Sequence, residues 1–382
     1  MKLHTVANDI KYWVIRPGND AVYFRHFMQN SVVALGHIDD VIKEEGVIKS
    51  VEPSDIFTAL KSELDQNRAQ EDEASDKILT DEEARKESAQ ITSAVTQVKT
   101  FINDLKVGDV VITLNSSKVL VGTIKSDAYI EEGDLKALLI DGSGYSSKIL
   151  KYKLRRNVEW ESPRNRETIP KPIKPSLGPS QTLFSISEDN SELFTHWLYS
   201  IFLQNGRLYF STKIDQRNKI SQFNVTEFQR TIQKLELLAT KIASKDFDGN
   251  LFNEIEEQYI YSGIHNEFSL VTKNSFLSPG NIWSDVGGEA TKLAVFAVLL
   301  GGLFGVNVEA SEEFTEEQKV AINQTVKEMK ETGKGNFDVF QASIKASLDK
   351  PNKSIKQVSE DTLDGKKEIT FPKVKADGDT GI

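Results

Sequence analysis

The chain has 382 residues, 38% of them hydrophobic, with 47 Lys or Arg against 57 Asp or Glu for a formal net charge of −10. This excludes disorder throughout and a polytopic membrane protein, and the length suits two or three domains. Cysteine is absent, so disulfides, thiolate metal ligands and cysteine nucleophiles are excluded.

The N-terminal MKLHTVANDIKYWVI has no apolar core of signal-peptide length, and a cytoplasmic protein is expected. Lys11–Ile15 is rich in β-formers and reads as a strand, stopped by the turn cluster Arg16-Pro17-Gly18-Asn19-Asp20. A short helix over Tyr23–Met28 and a second strand over Ser31–Gly36 follow. Pro53-Ser54-Asp55 opens a helix with Ile56, Leu60 and Leu64 on one face. The acidic stretch Glu63–Glu87 reads as a solvated helix or a mobile insertion. Apolar periodicity returns at Ile91, Val95, Val98 and Ile102 and ends near Leu105. Val107–Leu114 and Lys118–Lys125 are strands joined by the hairpin turn Asn115-Ser116-Ser117. Lys148–Trp160 alternates apolar and basic residues. Short strands with helices inserted early predict a small, partly closed β-barrel.

Five prolines between Ser162 and Ser180 (Pro163, Pro170, Pro172, Pro175, Pro179) mark a stiff connector. Glu192–Leu203 is predicted helical. Asn205-Gly206 turns the chain into the strand Arg207–Ile214. Asn224 is expected to cap a helix carrying Phe228, Ile232, Leu235, Leu238 and Ile242. Tyr259–Thr272 reads as strands and Ser278-Pro279-Gly280 as a turn. Amphipathic helices are expected over Phe314–Lys330 and Phe337–Leu348, before a flexible tail, Asp349–Ile382. The expected fold class is α+β. Residues 1–186 would form the β-barrel domain, 187–310 an α+β domain ending in an apolar helix, and 311–382 a charged helical segment and tail.

No phosphate-cradling loop, dinucleotide-binding glycine turn or nucleophile elbow is present. The five histidines (His4, His26, His37, His196, His265) lack metal-motif spacing, so no catalytic residue, metal or cofactor is expected. Carboxylates such as Glu267 with Lys273, or Asp248 with Glu254 and Glu256, offer only a forced nuclease site. The strongest local anomaly is basic. Lys151, Lys153, Arg155, Arg156, Arg164, Arg166, Lys171 and Lys174 stand against Glu159, Glu161 and Glu167, giving eight minus three, or +5, in an acidic chain. Basic residues contact phosphates and aromatic faces stack on exposed bases, and Tyr152 and Trp160 lie in this segment. The alternative is that Lys151, Lys153 and Arg155 are the wet face of a strand. Tyr12, Trp13, Tyr23 and Phe24 form a second aromatic cluster.

The motifs YWVIRPG, YFRHF and VVALGHID, then FINDLKVGDVVITL and VLVGTIKSDAYI, then RRNVEW and SLGPSQTLFSI, resemble the EVE-like branch of the PUA superfold, over roughly residues 8–186. The likeness is to N-terminal modules of modification-dependent restriction and anti-phage proteins. It implies a small barrel with a concave pocket for a modified base. The pocket candidates it implies are Trp13, Arg16, Gly36, His37, Tyr129, Arg156, Asn157 and Trp160; from the basic segment, Lys151, Lys153, Arg155, Arg164 and Arg166 are the candidates for the nucleic-acid backbone. His37 stands where the family commonly carries an aromatic residue. The segment FSLVTKNSFLSPGNIWSDVGGEATKLAVFAVLLGGLFG is similar to a unit of several bacterial defence proteins, and no activity is assigned from that likeness.

Leu293–Val308 is a sixteen-residue run without charge. As a helix it spans about 24 Å, short of a roughly 30 Å hydrocarbon core. It reads as a buried interface helix or as a membrane-inserting segment in which Gly301, Gly302 and Gly305 would suit close packing. The leading expectation is a sensor or adaptor that recognises DNA or RNA, modified bases included. Its C-terminal region would couple recognition to a protein partner, self-association or a membrane. The alternatives are a membrane-disrupting effector and a nuclease with an unrecognised site.

Overall fold

A computed structural model describes residues 3–42, 44–72, 80–139, 144–169, 171, 173–179, 181–214, 220–246, 251, 255, 268–275, 280–310, 314–331 and 346–348. In chain order the strands are β1 (His4–Thr5), β2 (Tyr12–Ile15), β3 (Val32–Leu35), β4 (Gly46–Ile48), β5 (Val110–Leu114), β6 (Lys118–Ile124), β7 (Ala128–Ile130), β8 (Leu154–Trp160), β9 (Arg164–Asn165), β10 (Leu183–Ser185), β11 (Ile201–Gln204), β12 (Arg207–Ile214), β13 (Val271–Ser275), β14 (Gly280–Gly287) and β15 (Ala346–Leu348). The helices are α1 (Phe24–Gln29), α2 (Pro53–Asp72), α3 (Asp81–Lys99), α4 (Glu188–Leu198), α5 (Gln222–Ser244), α6 (Ala290–Leu303) and α7 (Glu316–Glu331).

The chain divides into two compact units, a mixed α+β arrangement in each. One comprises residues 10–191. The other comprises residues 1–9 and 192–351, so the boundary falls inside α4. The helix α7, expected in a separate third segment, lies in this second unit with residues 192–310.

The first unit is a curled half-barrel. Its sheet runs β10-β2-β5-β6-β8-β7-β4, with β3 on the other edge of β8 and β9 on β6. Among the described strand pairs of this sheet, β2 with β5 is the parallel one. The strand β8 is the hub. Its alternate residues Leu154, Val158 and Trp160 enter a core with Phe27, Val33, Ile56, Ile91 and Phe101. The first part of the alternating run, 148–153, lies outside β8: Leu150 makes an isolated bridge with Leu135, and Lys153 N–H donates to the Asp39 carboxylate (2.8 Å). The helix α3 opens with a capping box: Thr80 Oγ1 accepts from Glu83 N–H, and the Glu83 carboxylate accepts from Thr80 N–H. At its far end the helix widens into a π turn over Thr100–Asp104, where Leu105 N–H reaches back to the Thr100 carbonyl (3.0 Å).

The second unit has a sheet in the order β1-β11-β12-β14-β13, with β15 paired to β12 beside the end of β11. Three sequence expectations are corrected here. Ile201 and Phe202 belong to β11 and not to a helix, because Tyr199 and Ser200 end α4 ahead of the hairpin turn at Asn205-Gly206. Ser221, not Asn224, caps α5: its hydroxyl accepts from Asn224 N–H (3.2 Å). Residues 346–348 form a strand where a helix was expected. The expected strands over 259–267, the turn at Ser278-Pro279, most of the helix over 337–348, the tail 349–382 and the carboxylates Asp248, Glu254, Glu256 and Glu267 lie outside the described residues.

The apolar run is the central helix of this unit. Nine residues of α6 are buried, Leu293 to Leu303 among them. Phe296 meets Phe210 of β12 at 5.6 Å between ring centroids. The glycines serve packing between protein elements. A Cβ on Gly302 would come within 2.7 Å of Val326 on α7, and one on Gly301 within 2.4 Å of Val308. Gly305 takes a left-handed φ of +67°, and Val306 N–H closes on the Gly301 carbonyl (2.8 Å), which ends the helix before residue 306. Among the described residues no helix is long and apolar enough to cross a membrane. Glu236 on α5, fully buried, accepts from Ser269 N–H, Leu270 N–H and the Lys292 ammonium (2.8 Å), tying the approach to β13 and the start of α6 to one carboxylate.

Candidate functional site

The residues expected to form one pocket are distributed over several places in the half-barrel. Trp13 is buried in β2, and its indole N–H donates to Asp109 Oδ2 (2.8 Å). The same carboxylate accepts from Lys106 N–H (2.9 Å) and Lys11 N–H (3.3 Å), so it organises the start of β5 and the approach to β2. Trp160 is buried at the other end of β8 and donates to the Phe27 carbonyl (2.8 Å). Arg16 reaches along the proline-rich connector to the carbonyls of Pro179, Leu177 and Gly178.

Arg156, expected in the pocket, and Arg155, expected on the nucleic-acid backbone, are both interior. Arg156 is 2% exposed. Its Nε donates to the Phe101 carbonyl (2.9 Å), Nη2 to the Ile102 carbonyl (2.9 Å) and Nη1 to the Ser126 carbonyl (2.8 Å). The π turn presents two of those carbonyls, and the planar guanidinium fork matches them. Burial, opposed by Asp127 and then Asp109, lowers its pKa to about 10, so it stays cationic at neutral pH. Arg155, on the opposite face of β8, is 1% exposed, because the segment leading into β8 covers it. It donates to the carbonyls of Tyr152 and Gly133 and faces Glu131 at 3.6 Å. On that face Tyr129 donates its hydroxyl to Asn157 Oδ1 (2.7 Å), and burial, ahead of the nearby Glu131, raises the phenol pKa. Tyr129 and Asn157 are thus two expected pocket residues that the fold brings into hydrogen-bond contact.

The backbone candidates are also engaged. Lys153 pairs with Glu132 (2.7 Å), Arg164 with Glu161 (2.7 Å), and Arg166 donates to the Asn115 carbonyl (2.9 Å). Lys151 and its neighbour Lys148 are exposed.

What the fold does gather lies at the end of β3. Gly36 follows Leu35, and the Tyr152 ring occupies the space where a side chain would stand: a Cβ there would lie 2.4 Å from it. The Tyr23 ring meets Tyr152 edge-on at 5.3 Å and His26 at 5.4 Å, and His26 Nε2 bonds the Lys148 carbonyl (2.8 Å). Tyr23 and Tyr152 are half-buried, and the exposed Lys148 and Lys151 lie within four residues of Tyr152 in sequence. The arrangement is a small aromatic step at a glycine, with two exposed lysines near Tyr152 in sequence. His37, half-buried, sits 3.4 Å from Gln97 Oε1, and burial lowers its pKa below the ordinary histidine value. Neither Tyr23 nor Tyr152 was separable in sequence from ordinary core aromatics. The available signal was an aromatic residue inside a lysine-rich run.

Asp39 completes this region. Burial is the largest influence on its carboxyl and raises the pKa to about 6, against the opposing pull of Lys153 N–H. A folded-state pKa above the ordinary 3.8 means that the native state favours the protonated form. Its contribution to stability is therefore full below about pH 4 and is lost as the pH rises through 6. Asp39→Asn keeps an acceptor for Lys153 N–H without the charge. In thermal unfolding from pH 4 to pH 8 the variant is expected to exceed wild type above pH 6, the gap closing toward pH 4. A gap independent of pH would contradict the assignment.

Among the described residues no group of three or more His, Asp or Glu side chains is placed to hold a metal ion. A family model described as a domain of unknown function (DUF8426) matches residues 56–186, about a third of the chain, from α2 to the end of β10. No curated protein and no solved structure matches the chain.

Proposed function

We propose that the unit of residues 10–191 is an EVE-like module of the PUA superfold that reads nucleic acid, and that the protein is a sensor or adaptor whose second unit passes recognition to a partner. The support is the sequence likeness over residues 8–186 and the curled half-barrel. The observation that carries the reading is the aromatic step at Gly36. Tyr23 and Tyr152 meet edge-on and are half-buried; in this reading a base stacks on them and the exposed Lys148 and Lys151 take the phosphates. Stacking of this kind is worth about 1–3 kcal/mol per base, and each lysine adds a salt-dependent term.

In this reading the modified base, DNA or RNA, lies against Tyr152, and His37 and Asp39 bound the site on the β3 side. Trp13, Arg156 and Trp160 act behind it by holding the barrel. Association with short single-stranded oligonucleotides, with and without modified bases, tests this by fluorescence anisotropy at two salt concentrations. Tyr152→Ala is expected to weaken binding about tenfold while circular dichroism stays native. Lys151→Ala is expected to reduce the salt slope by about 0.7. Full-strength binding in both variants would remove the aromatic step from consideration.

A further inference from the structure

The connection between β7 and β8 forms an arm with two limbs, 135–139 and 144–150. At its base Leu135 and Leu150 exchange both backbone hydrogen bonds (2.9 and 3.0 Å), and Leu150 is buried in the barrel core. Further out, Leu139 N–H donates to the Gly144 carbonyl (2.8 Å) and Ser146 N–H to the Ala137 carbonyl (2.7 Å). Those two bonds flank Leu138 and Tyr145, which therefore form a non-hydrogen-bonded antiparallel pair, with their side chains close together on one face. In such a pair each residue's own N–H and C=O point outward. Those of Leu138 are both taken by the Gln29 side-chain amide (2.7 and 3.3 Å), and Asn30 donates to the Lys136 carbonyl (3.1 Å). The arm is thus tied to the C-terminal end of α1.

This anchoring holds the backbone at Tyr145 and leaves its ring open. Tyr145 is 63% exposed and Leu138 46%. The chain here reads Gly142-Ser143-Gly144-Tyr145-Ser146-Ser147, so the neighbours in sequence are too small to cover the ring. The arm also carries the exposed Lys136, Lys148 and Lys151, none of which forms an ion pair among the described residues. Against Asp134 and Asp141, three lysines leave residues 134–151 at +1 in a chain of net charge −10. Tyr23, whose ring meets Tyr152 at the aromatic step, directly precedes α1, and Gln29 ends it. The advance from Tyr23 to Gln29 is about 9 Å along the helix. One short helix therefore holds both the step and the arm. Tyr145 and Tyr152 are seven residues apart, a span of at most about 25 Å.

We propose that Tyr145, with Leu138 beside it, is a second stacking position for nucleic acid. A single strand leaving the Tyr23–Tyr152 step passes along the arm and lays a later, unpaired base on the Tyr145 ring, with its phosphates toward Lys136 and Lys148. The inference rests on the nucleic-acid reading and narrows its substrate class to single strands of several nucleotides. A base must be unpaired to stack on a side chain, and the interior of a duplex offers no free base face.

The test is fluorescence anisotropy with the full-length chain. The probe is a labelled single strand of about twelve nucleotides, as DNA, as DNA carrying 5-methylcytosine and as RNA, each also annealed to its complement. Wild type is expected to prefer the single strands at least tenfold. Tyr145→Ala is expected to bind them about tenfold more weakly, with its thermal midpoint at the wild-type value because the ring is largely open. Tyr145→Phe keeps the stacking face and is expected to bind as wild type. Lys136→Ala is expected to lower the salt slope by about 0.7. Wild-type affinity in Tyr145→Ala, with Tyr152→Ala weakened, overturns the second position and leaves the step standing. Weakened binding by Tyr145→Ala, with Tyr152→Ala normal, supports the arm and removes the step. No binding of wild type to any of the strands overturns both. Normal binding by a Tyr145→Ala chain that sediments as a monomer where wild type is a dimer overturns the proposal and gives the arm to a second copy.

Discussion

Replacing Arg156 with alanine is expected to cost about 4 kcal/mol of folding stability. Three buried carbonyls, those of Phe101, Ile102 and Ser126, lose their donor at once. A buried acceptor left unpaired costs about 1–3 kcal/mol, and water entering the vacated space recovers part of the sum. Against a typical domain stability of about 5–15 kcal/mol this is a large fraction. Arg156→Lys recovers less than half of the loss. An ammonium is a compact donor and cannot match three acceptors spread over the π turn and the β6–β7 connection as a planar fork does. Urea unfolding of both variants measures the effect. Stability near wild type for Arg156→Ala would show that the guanidinium is not the tie that the geometry describes.

Trp13→Ala is expected to cost about 3–5 kcal/mol, the range for removing a buried aromatic side chain. Trp13→Phe separates packing from hydrogen bonding. Asp109 keeps Lys106 N–H and Lys11 N–H, so losing the indole N–H alone costs about 1–2 kcal/mol. Urea midpoints of the two variants give the split. If Trp13→Phe kept full stability yet lost oligonucleotide binding, the ring would have to face a ligand and not the core. Both residues thus differ from the role the family resemblance implied for them. Loss of binding in either alanine variant would report an unfolded barrel.

Much of the half-barrel was legible from local signals. The strand β2, the β5–β6 hairpin and the face of α2 carrying Ile56, Leu60 and Leu64 follow from period and turn residues, because those signals act over a few positions. The arginines were not legible. Leu154-Arg155-Arg156-Asn157 has the alternation of a half-wet strand, yet both guanidinium groups are interior. Apart from the Tyr152 carbonyl, three residues before Arg155, their acceptors lie 22 to 55 residues away in sequence, from Gly133 to Phe101. No local pattern encodes such a partner. The apolar run Leu293–Val308 is the converse case. A helix buried by α5, α7 and the sheet on all sides needs no polar face, so its sequence has the uniformity of a lipid-facing segment while it lies in a protein core. The aromatic step at Gly36 joins residues 23, 36 and 152, and only the curl of β3 against β8 brings them together.

The account stands on a division of labour within the half-barrel, with Tyr23 and Tyr152 at the reading surface and Trp13 and Arg156 holding the structure. The most direct measurement is the oligonucleotide affinity of Tyr152→Ala and Arg156→Lys in parallel, each beside its own urea unfolding curve. The account predicts that Tyr152→Ala binds about tenfold more weakly with its unfolding midpoint near wild type. It predicts that Arg156→Lys unfolds at lower urea yet binds normally where it remains folded. Normal binding by Tyr152→Ala, with binding lost by a folded Arg156→Lys, would contradict it and return the reading site to the barrel interior.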